Sequence, residues 1–337
     1  MAEPDYQAWA AAGFGALHKW YETSTGLWQS TGWWNAANAL TAVARYTRCT
    51  GDRTYEGIIQ TTFTAAQRQH ANFINNYYDD NGWWALAWIE AYDLTQESRY
   101  LQAAQTIFTA NTAAWDPVCG GGLWWNTAKN YKNAIVNELF LTLAAQLHQR
   151  TPGDRNYLTW AQRASDWLSR CGVINSSHLI NDGLTLGCAN NGQTTWTYNQ
   201  GVILGGLAAL YQISGDGAYL VEGQAIADAT LAALVSPPSA PHPGILVEPC
   251  ELTPAGCSGD AVQFKGIFMR YLTDFWRATG QSSYQDFIVS NATSIWNNNR
   301  NASNQFGSRW TGPFDQADAG RQSSALDGLN AAIAVSA

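Results

Sequence analysis

The segment GDRNYLTWAQRASDWLSR, residues 153–170, sets the fold class of this chain. After its turn, apolar residues recur every three to four positions and would share one helix face: Tyr157, Trp160, Ala161, Ala164, Trp167 and Leu168. The same turn, short, polar and ending in tyrosine, occurs five times at spacings of 45 to 65 residues, ending at Tyr55, Tyr100, Tyr157, Tyr219 and Tyr284. That spacing accommodates two helices and two loops per repeat.

The stretch before each turn is apolar or small on nearly every face, which predicts a helix buried on both sides. Four such stretches are 34–46, 83–92, 134–147 and 201–211, further ones begin near Ala261 and Ser324, and residues 9–20 supply a last outer helix. Val, Ile and Thr do not alternate over any sustained run, so neither a β-sandwich nor an α/β barrel is expected. We predict an all-α fold, an (α/α)6 barrel of six helical hairpins forming one domain over residues 1–337. An open solenoid, the alternative, would need polar capping repeats that are not obvious here.

The charge pattern excludes several classes of partner. The net charge is −8 and the lysines and arginines are scattered, so neither nucleic acid nor an anionic membrane is expected to bind. The sequence contains no apolar run of about 18 residues, so a membrane span is not expected. The five histidines lack metalloprotease spacing and the glycines at 120–122 lack a following lysine, so we expect no metal site and no cofactor. A monomer is expected.

Six cysteines and three glycosylation sequons, at Asn175, Asn291 and Asn301, indicate a secreted, extracellular protein. We predict three disulfides. The short loop between Cys250 and Cys257 makes them the first pair, and loop length favours Cys171 with Cys188 next. Free buried thiols are the alternative.

Aromatic rings stand beside amides and carboxylates in the loops that enter the predicted buried helices: 32–35, 77–84, 120–126, 190–200, 258–260 and 318–321. A closed barrel would gather these loops at one end. Such a mouth would suit a sugar, because pyranose C–H faces stack on rings while hydroxyls need polar partners.

Adjacent carboxylates Asp79 and Asp80 are the sharpest feature of these loops. Glycosidic cleavage needs one ionised carboxylate and one protonated carboxyl group, and proximity of two carboxylates raises one pKa. Alternatively, Asp80 could cap the following helix and Asp79 could be a solvated turn residue.

The run YYDDNGWWALAWI at 77–89, together with CGGGLWWN at 119–126, resembles glycoside hydrolase family 76, whose fold is an (α/α)6 barrel. The resemblance covers nearly the whole chain. It implies endo-α-1,6-mannanase activity with retention, with Asp79 as nucleophile and Asp80 as acid/base. It also implies an α-mannan or manno-oligosaccharide substrate. Fungal relatives of that family include cell-wall transglycosidases acting on glycolipid-anchor glycans, so transfer is an alternative to hydrolysis.

Eight further residues are candidate substrate contacts: Trp125, Asn126, Trp33, Asn35, Tyr78, Trp83, Trp196 and Asp260. Adjacent tryptophans on a helix cannot share a face, so we expect one of each pair to be core. Asp260, like Asp318, could equally cap a helix.

Two rival functions are weaker. A terpene-cyclase-like barrel needs further carboxylates one turn on to bind Mg²⁺, and residues 81–84 supply none. A mannan-binding protein without catalysis would use the rings alone, and the intact Asp79 and Asp80 argue against it.

Overall fold

The computed structural model describes residues 4–337, which fold almost entirely into helices. Six helices are buried on nearly all sides: α2 Trp33–Thr50, α4 Tyr78–Thr95, α6 Ala134–Arg150, α8 Thr197–Ser214, α10 Phe264–Thr279 and α12 Ala319–Ser336. The six that alternate with them are only partly buried: α1 Tyr6–Leu17, α3 Gly57–Ala65, α5 Ser98–Thr112, α7 Arg155–Arg170, α9 Ala218–Ala233 and α11 Ser282–Asn298. Within the described range the strands are limited to β1 Tyr21–Glu22 and β2 Leu27–Trp28, an antiparallel pair. The alternation predicted from the repeats is confirmed.

The glycine that opens three of the repeated turns ends the preceding buried helix. Gly51, Gly215 and Gly280 cap α2, α8 and α10 with φ of 76°, 72° and 66°. Each donates its N–H to a carbonyl four residues back, as in a left-handed helix cap. Because glycine adopts positive φ without steric cost, the chain turns sharply into the next helix.

The chain divides into two compact units, of which the second contains Gln69–Thr230 and Arg277–Thr279. In this unit α6 packs against α4, α5, α7 and α8. A side chain at Gly206 of α8 would place its Cβ 2.6 Å from Leu141 of α6. The hydroxyl of Thr142 donates to the carbonyl of Val202 at 3.0 Å. Small residues therefore let α6 and α8 approach closely.

The first unit contains the described residues up to Arg68, together with Leu231–Trp276 and Gly280–Ala337. Here α12 packs against α1, α2 and α11. Arg270 forms a buried ion pair with Asp327, and its guanidinium also donates to Asn38 Oδ1 at 2.7 Å. Additional hydrogen bonds of this kind are what make a buried ion pair tolerable, since desolvating the two charges is costly.

The prediction that residues 1–337 form a single domain stays a prediction. None of the helices in the described range is both long enough and apolar enough to cross a membrane.

The disulfide pattern corrects part of the sequence prediction. Cys250 and Cys257 are bonded as expected, but Cys188 pairs with Cys119 rather than Cys171, and neither Cys49 nor Cys171 belongs to either disulfide. Two disulfides therefore replace the predicted three. Loop length misled the prediction because the fold brings Cys119 to a Cα–Cα distance of 5.2 Å from Cys188, across 69 residues of sequence.

One of the three sequons lies in the core. Asn291, on α11, is 0 % exposed; its side chain accepts from the Leu246 N–H and donates to the Phe287 carbonyl. Asn175 and Asn301 occupy partly exposed turns. A glycan cannot be attached to Asn291 in the folded protein.

We expect the unreduced, denatured protein to expose two alkylatable thiols, at Cys49 and Cys171. Peptide mapping after alkylation should recover Cys119 joined to Cys188 and Cys250 joined to Cys257. Recovery of a peptide joining Cys171 to Cys188 in protein that was never reduced would contradict this pairing.

Candidate active site

Asp79 and Asp80 lie in the first turn of α4, where neither acts as the N-cap residue. Tyr77 holds the N-cap position and makes no side-chain capping bond. Asp79 Oδ1 accepts the backbone N–H of Asp80 at 3.0 Å, and Asp80 Oδ2 accepts the side-chain amide of Asn75 at 2.7 Å. The capping alternative raised from the sequence is therefore wrong for Asp80.

Three asparagines hold the turn that carries the carboxylates. The backbone N–H of Asn75 donates to Asn81 Oδ1 at 2.8 Å, and the amide of Asn81 donates to Asn111 Oδ1 at 3.4 Å. Asn111 in turn donates to the Tyr78 carbonyl at 2.9 Å. Because Asn81 is 0 % exposed and Asn111 is 2 % exposed, these bonds are shielded from water and fix the start of α4.

Trp125 joins the glycine-rich motif directly to the carboxylates. Its indole Nε1 donates to Asp79 Oδ2 at 2.9 Å, and its carbonyl accepts the backbone N–H of Tyr78 at 2.9 Å. A further backbone bond, from Thr127 N–H to the Asn76 carbonyl at 3.0 Å, continues the contact. The two sequence motifs are thus two halves of one hydrogen-bonded unit.

The buried ammonium of Lys132 organises the loop that presents Trp125. Its Nζ donates to the carbonyls of Val118, Gly121 and Gly122 at 2.7, 2.6 and 2.9 Å, and to Asp116 Oδ1 at 2.9 Å. It also lies over the Trp124 ring, 4.8 Å from the centroid. The loop backbone therefore wraps around a single cation.

Glycine is required where this loop passes Trp167. Gly122 has φ of 84°, and a Cβ there would lie 2.5 Å from the Trp167 ring. Gly121 has φ of 137°, and its Cβ would meet Trp115 at 2.7 Å. Both the backbone conformation and the available space thus exclude a side chain.

Burial raises the pKa of Asp79 to about 8, and the negative charge of Asp80 acts in the same direction. The hydrogen bond from Trp125 opposes this rise because it favours the ionised form. Two interacting carboxyls titrate as a pair, so the first-turn carboxylates share one proton near neutral pH. One ionised and one protonated carboxyl is the combination that glycosidic cleavage needs.

Three of the predicted contacts lie in the first unit. Asp260 is exposed and accepts the indole N–H of Trp34 at 3.0 Å, while Trp33 is partly exposed. Asn35 is only 4 % exposed, and its amide donates to Gln263 Oε1 at 3.0 Å. The Asn35 side chain therefore links the first turn of α2 to the residue that precedes α10.

The tryptophan pairs divide unevenly. Trp124 is 8 % exposed and Trp125 partly exposed, as expected for one core and one surface ring. Both Trp83 and Trp84 are buried, at 3 % and 0 %, with Trp83 stacked 6.4 Å from Tyr198. The expectation of one core ring per pair is therefore wrong for this pair. Both Trp33 and Trp34 are partly exposed, so the expectation fails there too.

The remaining predicted residues, Tyr78, Asn126 and Trp196, are partly exposed. Asn126 pairs with Tyr77 as an antiparallel bridge. Tyr77, which the sequence analysis did not select, is 41 % exposed with its ring 5.1 Å from that of Trp125. Its place at the start of the motif, two residues before Asp79, was the sequence signal for it.

Sequence reasoning also missed two buried polar groups on the apolar helices. Glu138 on α6 and Asn199 on α8 are both 0 % exposed, and within the described residues their side-chain polar atoms have no hydrogen-bond partner. Burial raises the pKa of Glu138 well above its usual range, and the charge of Asp182 adds to this. No cluster of three or more His, Cys, Asp or Glu side chains within residues 4–337 is arranged to hold a metal ion.

Comparison with known families identifies the class of protein. The model for glycosyl hydrolase family 76 matches residues 8–336, nearly the whole chain. This chain belongs to glycosyl hydrolase family 76, which confirms the resemblance and the predicted enzyme class.

Curated relatives are fungal. A putative mannan endo-1,6-alpha-mannosidase of Schizosaccharomyces pombe is 29 % identical over 261 residues, covering 71 % of this chain and 57 % of that protein. A mannan endo-1,6-alpha-mannosidase of Saccharomyces cerevisiae is 28 % identical over 266 residues, with the same two shares. The chain therefore spans a little over half the length of these relatives.

Solved structures share the fold. The α-1,6-mannanase of family 76 from a Salegentibacter species superposes with a TM-score of 0.86 at 25 % identity, covering 98 % of this chain and 100 % of that one. An inactive variant of that mannanase, in which two consecutive aspartates are replaced by alanine, was crystallised with α-1,6-mannotetrose and superposes with a TM-score of 0.84 at 24 % identity, over the same shares of the two chains. The predicted all-α, (α/α)6 class is confirmed.

We expect Asp79→Asn to stabilise the protein more at pH 8 than at pH 4. The pKa of Asp79 is about 8 in the folded state and near 3.8 when unfolded, so between these values the folded state binds the extra proton. Stability of the parent protein therefore falls as pH rises through this window, whereas asparagine does not titrate. Melting temperatures across pH 4 to 9 measure the effect.

The matched control is Asp286→Asn, at an exposed carboxylate on α11. The raised pKa of Asp79 would be contradicted if the difference in melting temperature between Asp79→Asn and the parent protein stayed constant with pH. The same conclusion would follow if Asp286→Asn gave the same pH-dependent difference.

Proposed function

We propose that this protein cleaves α-1,6-linked mannan with retention of configuration, with Asp79 as nucleophile and Asp80 as acid/base. The observation that carries the proposal is the adjacent carboxylate pair, in which each member is held by a separate side-chain N–H donor. Family membership supports glycoside chemistry at this pair.

The hydrogen-bond donors to Asp79 support its role as the nucleophile. Both oxygens of Asp79 accept N–H bonds, from Trp125 Nε1 and from the Asp80 backbone, and such bonds favour a carboxylate. Asp80 Oδ2 accepts the side-chain amide of Asn75. In the proposed reaction the shared proton moves to Asp80, which leaves Asp79 ionised.

The reaction then proceeds in two displacements. The Asp79 carboxylate attacks the anomeric carbon while Asp80 gives its proton to the departing glycosidic oxygen, leaving a covalent mannosyl ester. Asp80, now ionised, removes a proton from water, whose oxygen attacks the same carbon and releases Asp79. Two inversions leave the configuration retained.

The printed descriptions of similar proteins support the substrate. The fungal relatives are named mannan endo-1,6-alpha-mannosidases. The Salegentibacter mannanase is inactive without its two consecutive aspartates and was crystallised with α-1,6-mannotetrose. Exposed Tyr77 beside Trp125 offers ring faces for a mannose next to the carboxylates.

We also propose that the enzyme acts outside the cell as a monomer. The two disulfides support an oxidising compartment, and mannan named as the substrate of its fungal relatives supports a cell-wall setting. A transglycosidase would use the same covalent intermediate, with a sugar hydroxyl in place of water. Products formed from mannotetraose with and without added acceptor separate the two activities.

We expect Asp79→Ala to be inactive on mannan and on aryl mannosides alike, because no other group forms the covalent intermediate. Asp80→Ala should form the intermediate from an aryl mannoside, whose leaving group needs no proton, and then stall. Azide needs no general base, so it should restore turnover of Asp80→Ala and give an α-mannosyl azide. Product configuration is read by NMR.

Azide rescue of Asp79→Ala with an α product, or of Asp80→Ala with a β product, would show that the two roles are reversed. The proposed function itself would be contradicted if azide rescued neither variant and the parent enzyme did not cleave mannotetraose.

We expect Trp125→Phe to lower kcat/KM by about tenfold, the worth of one hydrogen bond to a charged group. The ring is kept but the N–H to Asp79 is lost, so the pKa of the nucleophile rises and the acidic limb of the pH profile moves to higher pH. Trp160→Phe on α7 serves as the control. An unmoved acidic limb would show that the indole N–H does not act on Asp79.

A further inference from the structure

A cavity of about 630 Å³ lies in the second unit between α7 and residues 115–120. Its volume is within the range of small-molecule binding sites. One wall is a stripe of α7 side chains, and the other is formed by Trp115, Cys119 and Gly120. Asp79, Asp80 and Trp125 do not line it, so this cavity is separate from the carboxylate pair.

The wall opposite α7 is rigidly built. Cys119 is tied to Cys188 by a disulfide, and its carbonyl accepts the indole N–H of Trp167 at 3.0 Å. Lys132 holds the neighbouring carbonyls of Val118 and Gly121. A preformed wall of this kind lowers the ordering cost of binding a ligand.

The α7 wall presents exposed polar side chains. Gln162, Asp166 and Arg170 are exposed, and in the part of the chain that the structure describes their side chains form no hydrogen bond or ion pair. Arg163 lies over the rings of Trp115 and Trp160, 4.5 and 4.9 Å from their centroids. Hydrogen-bond donors, a carboxylate acceptor and aromatic rings thus surround the cavity.

This chemistry suits a neutral, hydroxyl-rich ligand. An amide, a carboxylate and a guanidinium together donate to and accept from sugar hydroxyls, while ring surfaces cover C–H groups. The cavity carries Asp166 beside Arg163 and Arg170, and the net charge of −8 on the whole chain disfavours a polyanion. The loop that forms one wall of the cavity also leads to Trp125, which contacts Asp79. A long glycan is therefore the ligand that could occupy the cavity and the carboxylate pair together.

We propose that this cavity is a second carbohydrate-binding site, which holds a segment of the mannan chain away from the carboxylate pair. The inference rests on the proposed function for its choice of glycan. The site raises the local concentration of polymer at the enzyme and contributes nothing to substrates too short to reach it.

The test compares the double variant Gln162→Ala/Asp166→Ala with Arg155→Ala, an exposed residue in the first turn of the same helix. The double variant should raise KM for polymeric α-1,6-mannan about three- to tenfold, as expected for losing two hydrogen bonds. Its kcat, and its kcat/KM on mannotetraose, should equal those of the parent. Arg155→Ala should match the parent on both substrates.

Binding is measured separately by native electrophoresis in gels containing α-1,6-mannan, with Asp79→Ala added to every protein so that the polymer is not consumed. The double variant should be retarded less than the parent and the control. Equal retardation and equal polymer KM in all three proteins, or no retardation of any, would overturn the second site. The double variant could lose its retardation while the parent enzyme fails to cleave mannotetraose. That result would support the second carbohydrate-binding site and contradict the proposed mannanase activity.

Discussion

The hydrogen bonds of the Lys132 ammonium are the interaction on which the loop that presents Trp125 depends. A loop with three consecutive glycines has little intrinsic order, yet three of its carbonyls accept hydrogen bonds from one buried cation. Burial lowers the pKa of Lys132, and Asp116 opposes that change by stabilising the charge. The loop that is closed around this charge leads into Trp125, whose indole donates to Asp79.

Most of the fold was predictable because it depends on the spacing of apolar residues. The repeated turns ending in Tyr55, Tyr100 and their equivalents locate the helices of residues 4–337, since each turn separates a helix buried on all sides from one buried on a single face. Glycine at three turns is explained by a single backbone conformation, the left-handed cap. Local sequence carries this information, so no knowledge of distant contacts was needed.

The parts that were not predictable depend on contacts between distant segments. Cys119 reaches Cys188 only because the loop around Lys132 carries it there, which loop length along the chain does not reveal. Whether both rings of a tryptophan pair are buried depends on the neighbouring helix, as Tyr198 shows for Trp83. Asn75 carries no motif of its own, and its bond to Asp80 became visible only in the folded turn.

The buried sequon has a consequence for how the chain must be made. Asn291 accepts the Leu246 N–H inside the core, so a glycan there would prevent α11 from docking. In a secretory pathway, oligosaccharide transfer and the burial of α11 therefore compete for the same side chain while the polypeptide is still emerging. Leu246 precedes Asn291 in the sequence, which means that its partner is already synthesised when this asparagine appears. Rapid docking protects the chain, and a host without N-glycosylation removes the competition.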